Sequence, residues 1–460
     1  MQRANLIVRG GTVVTAAGRR QADVTIEDGR IVAVGEGLSA PADALEVDAG
    51  GLLVLPGVVD VHTHTRVATD AAPDRFFQDS VAAAFGGTTT FLAFNNPGTG
   101  SEQTGALTTD VKAWRRQTDS DSAVDYGLNL VLQPAHAANL ATEIPAVIDM
   151  GVPTFKAFMV YDFALPAAAM AVALRLAARS RGMLMVHGED RAALEANIAR
   201  LKAEGKTQPR FHADSRPPYV EAAGTRLAIE MARAEDAPVY LVHLSSQAAL
   251  AEIEAWRKVG SKVFVETCPH FLVLDESRYE LPDADCARYI ISPPLRSPAD
   301  REALWAALAD GTLDIVSTDH VPDRLADKHG WDVCFDQISN GAPGIETLLA
   351  LVYSEGVQRG RITIERMVDV LSTTPARLFG LSRKGAIEPG KDADLVLFDP
   401  QERRTVTQAE LHHTSDFTPY EGLATSGLVR STILRGEFVV RDGHFVGRRG
   451  CGQFQERRIA

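Results

Sequence analysis

The chain has 460 residues, of which 45% are hydrophobic and 23% charged, and its formal net charge is −13 at pH 7. This composition is that of an ordinary folded protein and excludes a disordered chain. The excess of acidic residues argues against a nucleic-acid backbone as partner. The length exceeds that of one small core and predicts a large domain, of barrel or doubly wound type, with a smaller one beside it.

We expect neither a membrane span nor a secretory signal. No apolar run is long enough to span a bilayer, and the first residues, MQRANLIVRGG, lack the apolar core of a signal peptide. The four scattered cysteines show no paired metal spacing, which predicts free thiols in a reducing compartment. We therefore expect a cytoplasmic protein with neither a nucleic-acid nor a membrane partner.

The two ends of the chain share a pattern of short β-strands separated by tight turns. Near the start, the alternation in VTIEDGRIVAV around Asp28-Gly29 predicts a hairpin, and near the end GAIEPGKDADLVLFD is followed by turns at Arg435-Gly436 and Asp442-Gly443. Two β segments at opposite ends of a chain pair most simply into one domain, although two unrelated flaps are the alternative. We predict a small β-sandwich domain built from both termini.

Between these ends, apolar strands alternate with helical stretches such as Leu165–Ser180 and Gly224–Ala234. The pattern predicts an α/β fold, a (β/α)8 TIM barrel over residues 53–382, with residues 1–52 and 383–460 forming the β-sandwich. A doubly wound open sheet is the alternative, but it needs a Gly-rich phosphate turn after its first strand, and none follows. The eight strand candidates are Val54–Val61, Thr88–Phe94, Tyr126–Leu132, Thr154–Phe158, Met183–Val186, Val239–Val242, Val263–Glu266 and Asp314–Ser317.

Potential metal ligands stand at the C-terminal ends of five of these strands. In a barrel these ends share one rim, where the chemistry takes place, and histidine nitrogens and carboxylate oxygens are ligands of zinc. Taken singly, each residue is more simply a buried group with a hydrogen-bond partner. Their coincidence at one rim favours a metal centre instead. The residues are His62 and His64, Lys156, His187, His243, and Asp319 with His320.

Lys156 is the unusual member of this set. Its neighbours Phe155 and Phe158 predict an apolar setting, which opposes a cation and lowers the pKa of the amine. A neutral amine can react with carbon dioxide to give a carbamate, which can bridge two metal ions as a carboxylate does. The alternative is a lysine that reaches an acidic partner. The four histidines and the aspartate around it favour the carbamate.

Motifs along nearly the whole chain carry a family resemblance. PGVVDVHTH, GGTTT, FKAFMVY, VHGED, VHLSS, ETCPH, SPPLR, STDH, NGAPGIET and PGKDADLVLFD follow one another in this order. Together they resemble the cyclic amidohydrolases of the amidohydrolase superfamily, most closely the dihydropyrimidinase and hydantoinase branch. The resemblance implies hydrolytic opening of a cyclic amide or imide, of dihydropyrimidine or hydantoin type, to an N-carbamoyl amino acid by a hydroxide activated between two metal ions.

The resemblance also implies roles for individual residues, two divalent metal ions with zinc as the expected element, and a homotetramer. Tyr161 would donate to the oxyanion, and Ser292 and Asn340 would hold the ring amide. The metal ligands would be His62 and His64 on one ion, His187 and His243 on the other, N6-carboxylated Lys156 as the bridge, and Asp319 as ligand and proton shuttle.

Some residues depart from the hydantoinase pattern. Arg66 and the Asn95-Asn96-Pro97 segment resemble the carboxylate-binding features of dihydroorotases. One hypothesis is therefore that Arg66 binds an anionic substituent of the substrate; the alternative is that it pairs with Asp70 or Asp74 in its own loop.

Three other functions remain open. They are an allantoinase or dihydroorotase-like enzyme acting on an anionic or ureido-bearing ring, a single-metal deaminase, for which Lys156 would be needless, and a non-enzymatic scaffold, which the intact ligand set disfavours. Phe76, Phe77 and Phe163 are candidate apolar contacts of a substituent pocket, and we expect the tail GCGQFQERRIA to reach a subunit interface.

Overall fold

A computed structural model describes residues 5–102 and 104–459, so the outer limits of the predicted domains, at residues 1 and 460, lie outside the described residues. The strands are β1 (Leu6–Thr15), β2 (Gly18–Glu27), β3 (Arg30–Gly35), β4 (Leu45–Asp48), β5 (Leu53–Pro56), β6 (Val58–Thr63), β7 (Thr88–Phe94), β8 (Asp125–Val131), β9 (Thr154–Phe158), β10 (Met183–His187), β11 (Val239–Leu241), β12 (Val263–Thr267), β13 (Ile315–Val316), β14 (Leu395–Thr405), β15 (Ala424–Leu434), β16 (Glu437–Arg441) and β17 (His444–Phe445).

The α-helices are α1 (Arg75–Phe85), α2 (Leu107–Thr118), α3 (Leu140–Asp149), α4 (Ala167–Arg179), α5 (Arg191–Ala203), α6 (His212–Ser215), α7 (Pro218–Ala234), α8 (Gln247–Lys258), α9 (Pro269–Val273), α10 (Asp283–Cys286), α11 (Pro298–Asp310), α12 (Leu348–Val352), α13 (Ile364–Val368) and α14 (Thr374–Leu378). None of the helices in the described ranges is both long and apolar enough to cross a membrane.

The central sheet is a parallel barrel. Within the described residues, its eight strands β6 to β13 neighbour one another in chain order, and a parallel bridge between Thr63 and His320 joins the end of β6 to the segment after β13. Each strand of such a barrel is buried on both faces, which is why these segments are apolar. The (β/α)8 fold is confirmed, and the doubly wound alternative is wrong because the sheet closes on itself.

The apolar run predicted as a single strand, Val54–Val61, is divided at Gly57 between two sheets. Its first part, β5, pairs with β14 in the terminal sheet, and its second part, β6, starts the barrel. A Cβ atom at position 57 would collide with the Thr89 side chain, so only glycine lets the chain pass from one sheet to the other here. An apolar run shows burial but not which sheet buries it, and the single-strand prediction was wrong for this reason.

The two chain ends form one mixed sheet of nine strands in the described part of the molecule. β5 and β14 pair antiparallel, with Val54 opposite Leu397, and so join the N-terminal strands to the C-terminal ones. The predicted turn at Asp28-Gly29 links β2 to β3, and both residues have the positive φ, 49° and 78°, that such hairpin turns require. The prediction of one small β domain made by both termini is confirmed.

The C-terminal tail packs against its own barrel. Gln455 N donates to Tyr126 O over 2.7 Å, and the Arg457 side chain, with no exposed surface, donates to Thr154 Oγ1 over 2.8 Å. Thr154 is the first residue of β9, so this contact lies at the strand starts. The tail up to residue 459 therefore covers the N-terminal end of the barrel. The expected contact of the tail with another subunit stays a prediction.

Candidate active site

The rim at the strand ends brings the predicted ligands together, and all six of them are buried or nearly so. His62 lies on β6 and Lys156 on β9, whereas His187 is the last residue of β10. The other three follow their strands: His64 follows β6, His243 follows β11 and Asp319 follows β13. They form two clusters with Lys156 nearby.

The first cluster joins two imidazoles to one carboxylate. Nε2 of His62 and Nε2 of His64 lie 3.0 and 3.1 Å from the same oxygen, Oδ1 of Asp319. One ligand atom from each of the three residues falls within 4.8 Å of the others. Burial alone would raise the pKa of Asp319, but the two imidazoles hold it well below the ordinary value. An ionised carboxylate with two convergent imidazole nitrogens is a donor set that suits a divalent cation.

The second cluster consists of two imidazoles that face each other. His187 Nδ1 and His243 Nε2 are 2.9 Å apart, and both rings are buried. Burial lowers the pKa of His187 and carries that of His243 well below 6.5, so both rings are neutral at neutral pH. Neutral imidazole is the form that binds metal, and the pair can therefore hold a second cation.

Lys156 is fully buried and carries an unsatisfied amine. Its Nζ has no hydrogen-bond or ion-pair partner among the described residues, and it lies 4.9 and 5.0 Å from the ring centroids of Phe94 and Phe158. Burial lowers its pKa to about 8, because an apolar setting disfavours the cation. The alternative of a lysine ion-paired with an acidic residue is wrong, and the orphaned amine fits the chemistry of carbamate formation.

A buried glutamate that the sequence analysis missed stands behind the first cluster. Glu266, near the end of β12, contacts His62 Nδ1 and accepts hydrogen bonds from Tyr240 Oη over 2.7 Å and Ser317 Oγ over 2.6 Å. It fixes the His62 ring with Nε2 turned to Asp319, the usual arrangement behind a metal-bound histidine. The signal was available, because the Glu of ETCPH occupies the same strand-end position as the predicted ligands.

Other polar side chains contact the imidazoles of His187 and His64 and hold their rings in place. His187 Nε2 lies 2.6 Å from Glu189 Oε2, and the Arg216 guanidinium contacts that same oxygen. Burial opposes ionisation of Glu189, but Arg216 and His187 outweigh it and hold its pKa at about 2. His64 Nδ1 lies 2.6 Å from Asn96 Oδ1. Three of the four imidazoles thus have one nitrogen fixed, which leaves the other for the centre.

A cavity of about 240 Å³ opens above the two clusters, and His64, His187, His243 and Asp319 line it. The four predicted substrate contacts, Tyr161, Ser292, Asn340 and Arg66, line it as well. Ser292 Oγ donates to Asn340 Oδ1 over 3.0 Å, so these two are also mutual neighbours.

Three of the residues around the cavity have a left-handed backbone. The φ angles of Tyr161, His243 and Asp319 are 77°, 42° and 50°. Non-glycine residues pay in free energy for this conformation, and it is concentrated at functional sites. Here it turns an aromatic hydroxyl, an imidazole and a carboxylate towards one cavity.

Arg66 does not pair within its own loop. Its guanidinium contacts Asp323, which follows β13, whereas Asp74 pairs with Arg449. The alternative of a pairing with Asp70 or Asp74 is wrong, because the loops after the first and last barrel strands are neighbours only once the barrel closes. Binding of an anionic substituent by Arg66 stays a hypothesis.

The three phenylalanines predicted to contact a ring substituent lie in three different parts of the structure. Phe163 lines the cavity, whereas Phe76 packs in the core against Phe91 and Phe77 packs against Phe445. The prediction was wrong for Phe76 and Phe77, because both belong to α1 and face other parts of the fold.

Known proteins match this chain over its whole length. The amidohydrolase family model matches residues 53–439. A D-hydantoinase of Ralstonia pickettii is 37% identical, and the match covers 99% of both chains. The crystal structure of dihydropyrimidinase from Brevibacillus agri NCHU1002 has a TM-score of 0.93 at 37% identity, covering 99% of both chains. The D-hydantoinase structure from a Bacillus sp. AR9 has a TM-score of 0.93 at 39% identity, again covering 99% of both.

Proposed function

This chain belongs to the amidohydrolase family, and from that premise we propose that it opens a cyclic amide or imide ring of the hydantoin or dihydropyrimidine type by hydrolysis. The product is an N-carbamoyl amino acid. One observation carries the proposal: four imidazoles, a carboxylate and an unpaired buried amine converge below a cavity. Whole-chain similarity to proteins named D-hydantoinase and dihydropyrimidinase supports the substrate class.

We infer that two divalent metal ions, of which zinc is the expected element, are the cofactors. His62, His64 and Asp319 would hold one ion, and His187 with His243 the other. The amine of Lys156 would add to carbon dioxide, forming an N–C bond and losing one proton, and the resulting carbamate would bridge the two sites. When bound, such a pair of ions acidifies water and polarises a carbonyl group.

Asp319 is the group that moves the proton. Its depressed pKa keeps the carboxylate ionised at neutral pH, so it can accept a proton from the attacking water. It then gives this proton to the ring nitrogen, which leaves as the C–N bond breaks. The contacts of the Asp319 carboxylate with His62 and His64, and the left-handed backbone at Asp319, support this role.

Tyr161 stabilises the negative charge that develops on the carbonyl oxygen. Burial raises the pKa of its hydroxyl despite the opposing charge of nearby Arg216, so the hydroxyl keeps its proton and can donate it in a hydrogen bond. A single donor of this kind is worth about 3 kcal/mol in the transition state. Ser292 and Asn340, which contact each other, would orient the ring amide, largely through main-chain groups.

Two alternative functions, the oligomeric state and the cellular location stay predictions. An allantoinase or dihydroorotase-like enzyme would use the same centre on a different ring, and Arg66 lies in the wall of the cavity that would hold that ring. A scaffold without activity is disfavoured, because the full donor set is in place. The homotetramer and the cytoplasmic location rest on the resemblance and on the cysteine pattern alone.

A substrate panel tests the proposal. Purified protein supplied with zinc is assayed with hydantoin, dihydrouracil, allantoin and dihydroorotate, and the N-carbamoyl product is quantified. We expect ring opening of hydantoin and dihydrouracil and none by an Asp319→Asn variant. Failure of the wild-type protein to open any of the four rings would contradict the proposal. Activity on allantoin alone or on dihydroorotate alone would replace it with the allantoinase or the dihydroorotase alternative. Allantoin is hydantoin with a ureido group on carbon 5, so activity on allantoin together with hydantoin agrees with the proposal.

A further inference from the structure

The cavity wall contains an ion pair whose two members are both held in place. Arg66 contacts the Asp323 carboxylate through Nη2 and Gly98 O through Nη1. Asp323 is only 1% exposed and accepts a hydrogen bond from Ser339 Oγ over 2.6 Å. Both charged residues line the cavity above the metal-binding clusters.

This pairing changes what Arg66 can bind. Among the described residues, Arg66 is the only basic side chain in ion-pair contact with Asp323, and a buried carboxylate is strongly destabilised when its counter-ion is removed. An anionic substituent would have to share Arg66 with Asp323 and face a like charge beside it. The neutralised pair therefore gives little net attraction for a carboxylate.

The pair also disfavours a purely apolar substituent. An aryl group pressed against Arg66 and Asp323 would remove water from both charges and offer no hydrogen bond in return. Phe158, Phe163 and Val321 also line the cavity and can pack against the ring and the apolar part of a substituent. They offer no hydrogen-bond partner to Arg66 or Asp323.

The pair stands at the boundary between two cavities. Arg66, Asp323 and Ser339 belong both to the ring cavity and to a second cavity of about 520 Å³ that Arg75 and Asp327 line further out. A ring substituent that extends from the ring cavity into the outer cavity would cross this shared boundary. The polarity of the boundary therefore bears on which substituents are accepted.

We propose that the Arg66–Asp323 pair selects rings whose substituent is uncharged but carries both a carbonyl acceptor and N–H donors, as amide and ureido groups do. The carbonyl would accept from guanidinium N–H groups, of which the contacts among described residues use two of about five. The substituent N–H would donate to the Asp323 carboxylate. This inference rests on the proposed ring-opening activity and narrows its substrate class.

The test compares hydantoins that differ only at carbon 5. The substituents are methyl, phenyl, carboxymethyl, carbamoylmethyl and ureido, and kcat/KM for each is divided by that for unsubstituted hydantoin. We expect the carbamoylmethyl and ureido compounds to exceed the carboxymethyl and phenyl compounds by at least about tenfold, the factor that corresponds to the net free energy of one good hydrogen bond. The carbamoylmethyl and carboxymethyl pair is nearly isosteric, so their ratio isolates charge.

A double variant tests whether the Arg66–Asp323 pair causes the substituent preference. In Arg66→Met/Asp323→Leu, the ratio of phenyl to carbamoylmethyl activity should rise by about tenfold or more. Arg226→Met/Glu252→Leu removes a partly exposed ion pair between α7 and α8. It is the matched control and should leave the ratios unchanged.

Two results would overturn the inference: a wild-type preference for carboxymethyl or phenyl, or an unchanged ratio in the double variant. The wild-type panel decides even if the double variant does not fold. Activity on hydantoin without the expected preference defeats only this inference, whereas inactivity on every ring defeats the proposed function as well.

Discussion

His187 Nδ1 and His243 Nε2 lie 2.9 Å apart. His187 is the last residue of β10, and His243 follows the neighbouring strand β11. Because His187 Nε2 faces the Glu189 carboxylate, its Nδ1 carries the lone pair and can accept the Nε2 proton of His243. His243 Nδ1 is then buried with no hydrogen-bond partner among the described residues. The same rim holds the His62, His64 and Asp319 cluster and the unsatisfied amine of Lys156. The arrangement is explained economically by two cations and a bridging carbamate.

Glu266 is expected to set metal affinity through His62. Glu266→Gln keeps the size of the side chain but weakens the acceptor for His62 Nδ1, so metal affinity should fall by about 10- to 100-fold. Competition with a chelator measures this fall. The control is Glu254→Gln, at a half-exposed glutamate on α8. Equal metal affinity in the two variants would show that Glu266 does not contribute to metal binding.

Tyr161 should act on the transition state more than on binding. Removing its hydroxyl in Tyr161→Phe should lower kcat by about 100-fold, the usual cost of one oxyanion donor, with KM changed much less. Steady-state kinetics on hydantoin provide both numbers. Tyr219→Phe, at a tyrosine that is 54% exposed, should behave as wild type. A rise in KM at constant kcat would assign Tyr161 to ground-state binding instead.

His212 should make the fold sensitive to mild acid. Burial, helped by nearby Arg216, lowers its pKa from 6.5 to about 3, and its Nε2 donates to Ile291 O over 2.9 Å. Because only the unfolded chain takes up this proton between about pH 6.5 and 3, the free energy of unfolding falls as the pH drops through that window.

The corresponding measurement is denaturant unfolding at pH 7.5 and pH 5. His212→Gln, which can keep the hydrogen bond without titrating, should lose about 2 kcal/mol less than wild type between the two pH values. His444→Gln, on an exposed strand end, should show the wild-type loss. The same loss in the His212 and His444 variants would remove His212 as the cause.

Arg457 should stabilise the barrel from the end away from the candidate active site. Its guanidinium donates to Thr154 Oγ1 and contacts Leu128 O. Arg457→Ala would leave these acceptors unpaired beside a cavity and should cost about 3 kcal/mol of unfolding free energy. Thermal unfolding measures this cost, with exposed Arg448→Ala as control. An unchanged midpoint would mean that the tail is not part of the cooperative fold.

The sequence predicted the barrel and the residues that line its rim because both depend on local patterns. Apolar strands at regular intervals indicate the fold, and ligands such as His187 directly follow or end these strands, where a barrel places its chemistry. It also predicted that burial would depress the pKa of Lys156, since the neighbouring residues Phe155 and Phe158 are in the sequence itself.

What the sequence could not provide are contacts between segments far apart in the chain. Arg66 and Asp323 are separated by most of the barrel sequence, so the only partners that the sequence suggested for Arg66 were Asp70 and Asp74 in its own loop. The division of Val54–Val61 at Gly57 has the same origin, because Thr89 makes that glycine necessary. Glu266 and Glu189 were missed for a different reason: they touch ligands rather than act as ligands.

The central claim is that carboxylated Lys156 bridges two metal ions, and the most direct measurement combines metal content with chemical rescue in Lys156→Ala. We predict two ions per wild-type chain. In the variant, we predict fewer ions, a loss of hydantoin hydrolysis of about a thousandfold, and partial recovery when acetate or propionate supplies the missing carboxylate. Exposed Lys258→Ala should match wild type. Full activity and metal content in Lys156→Ala, with no response to added acid, would contradict the claim.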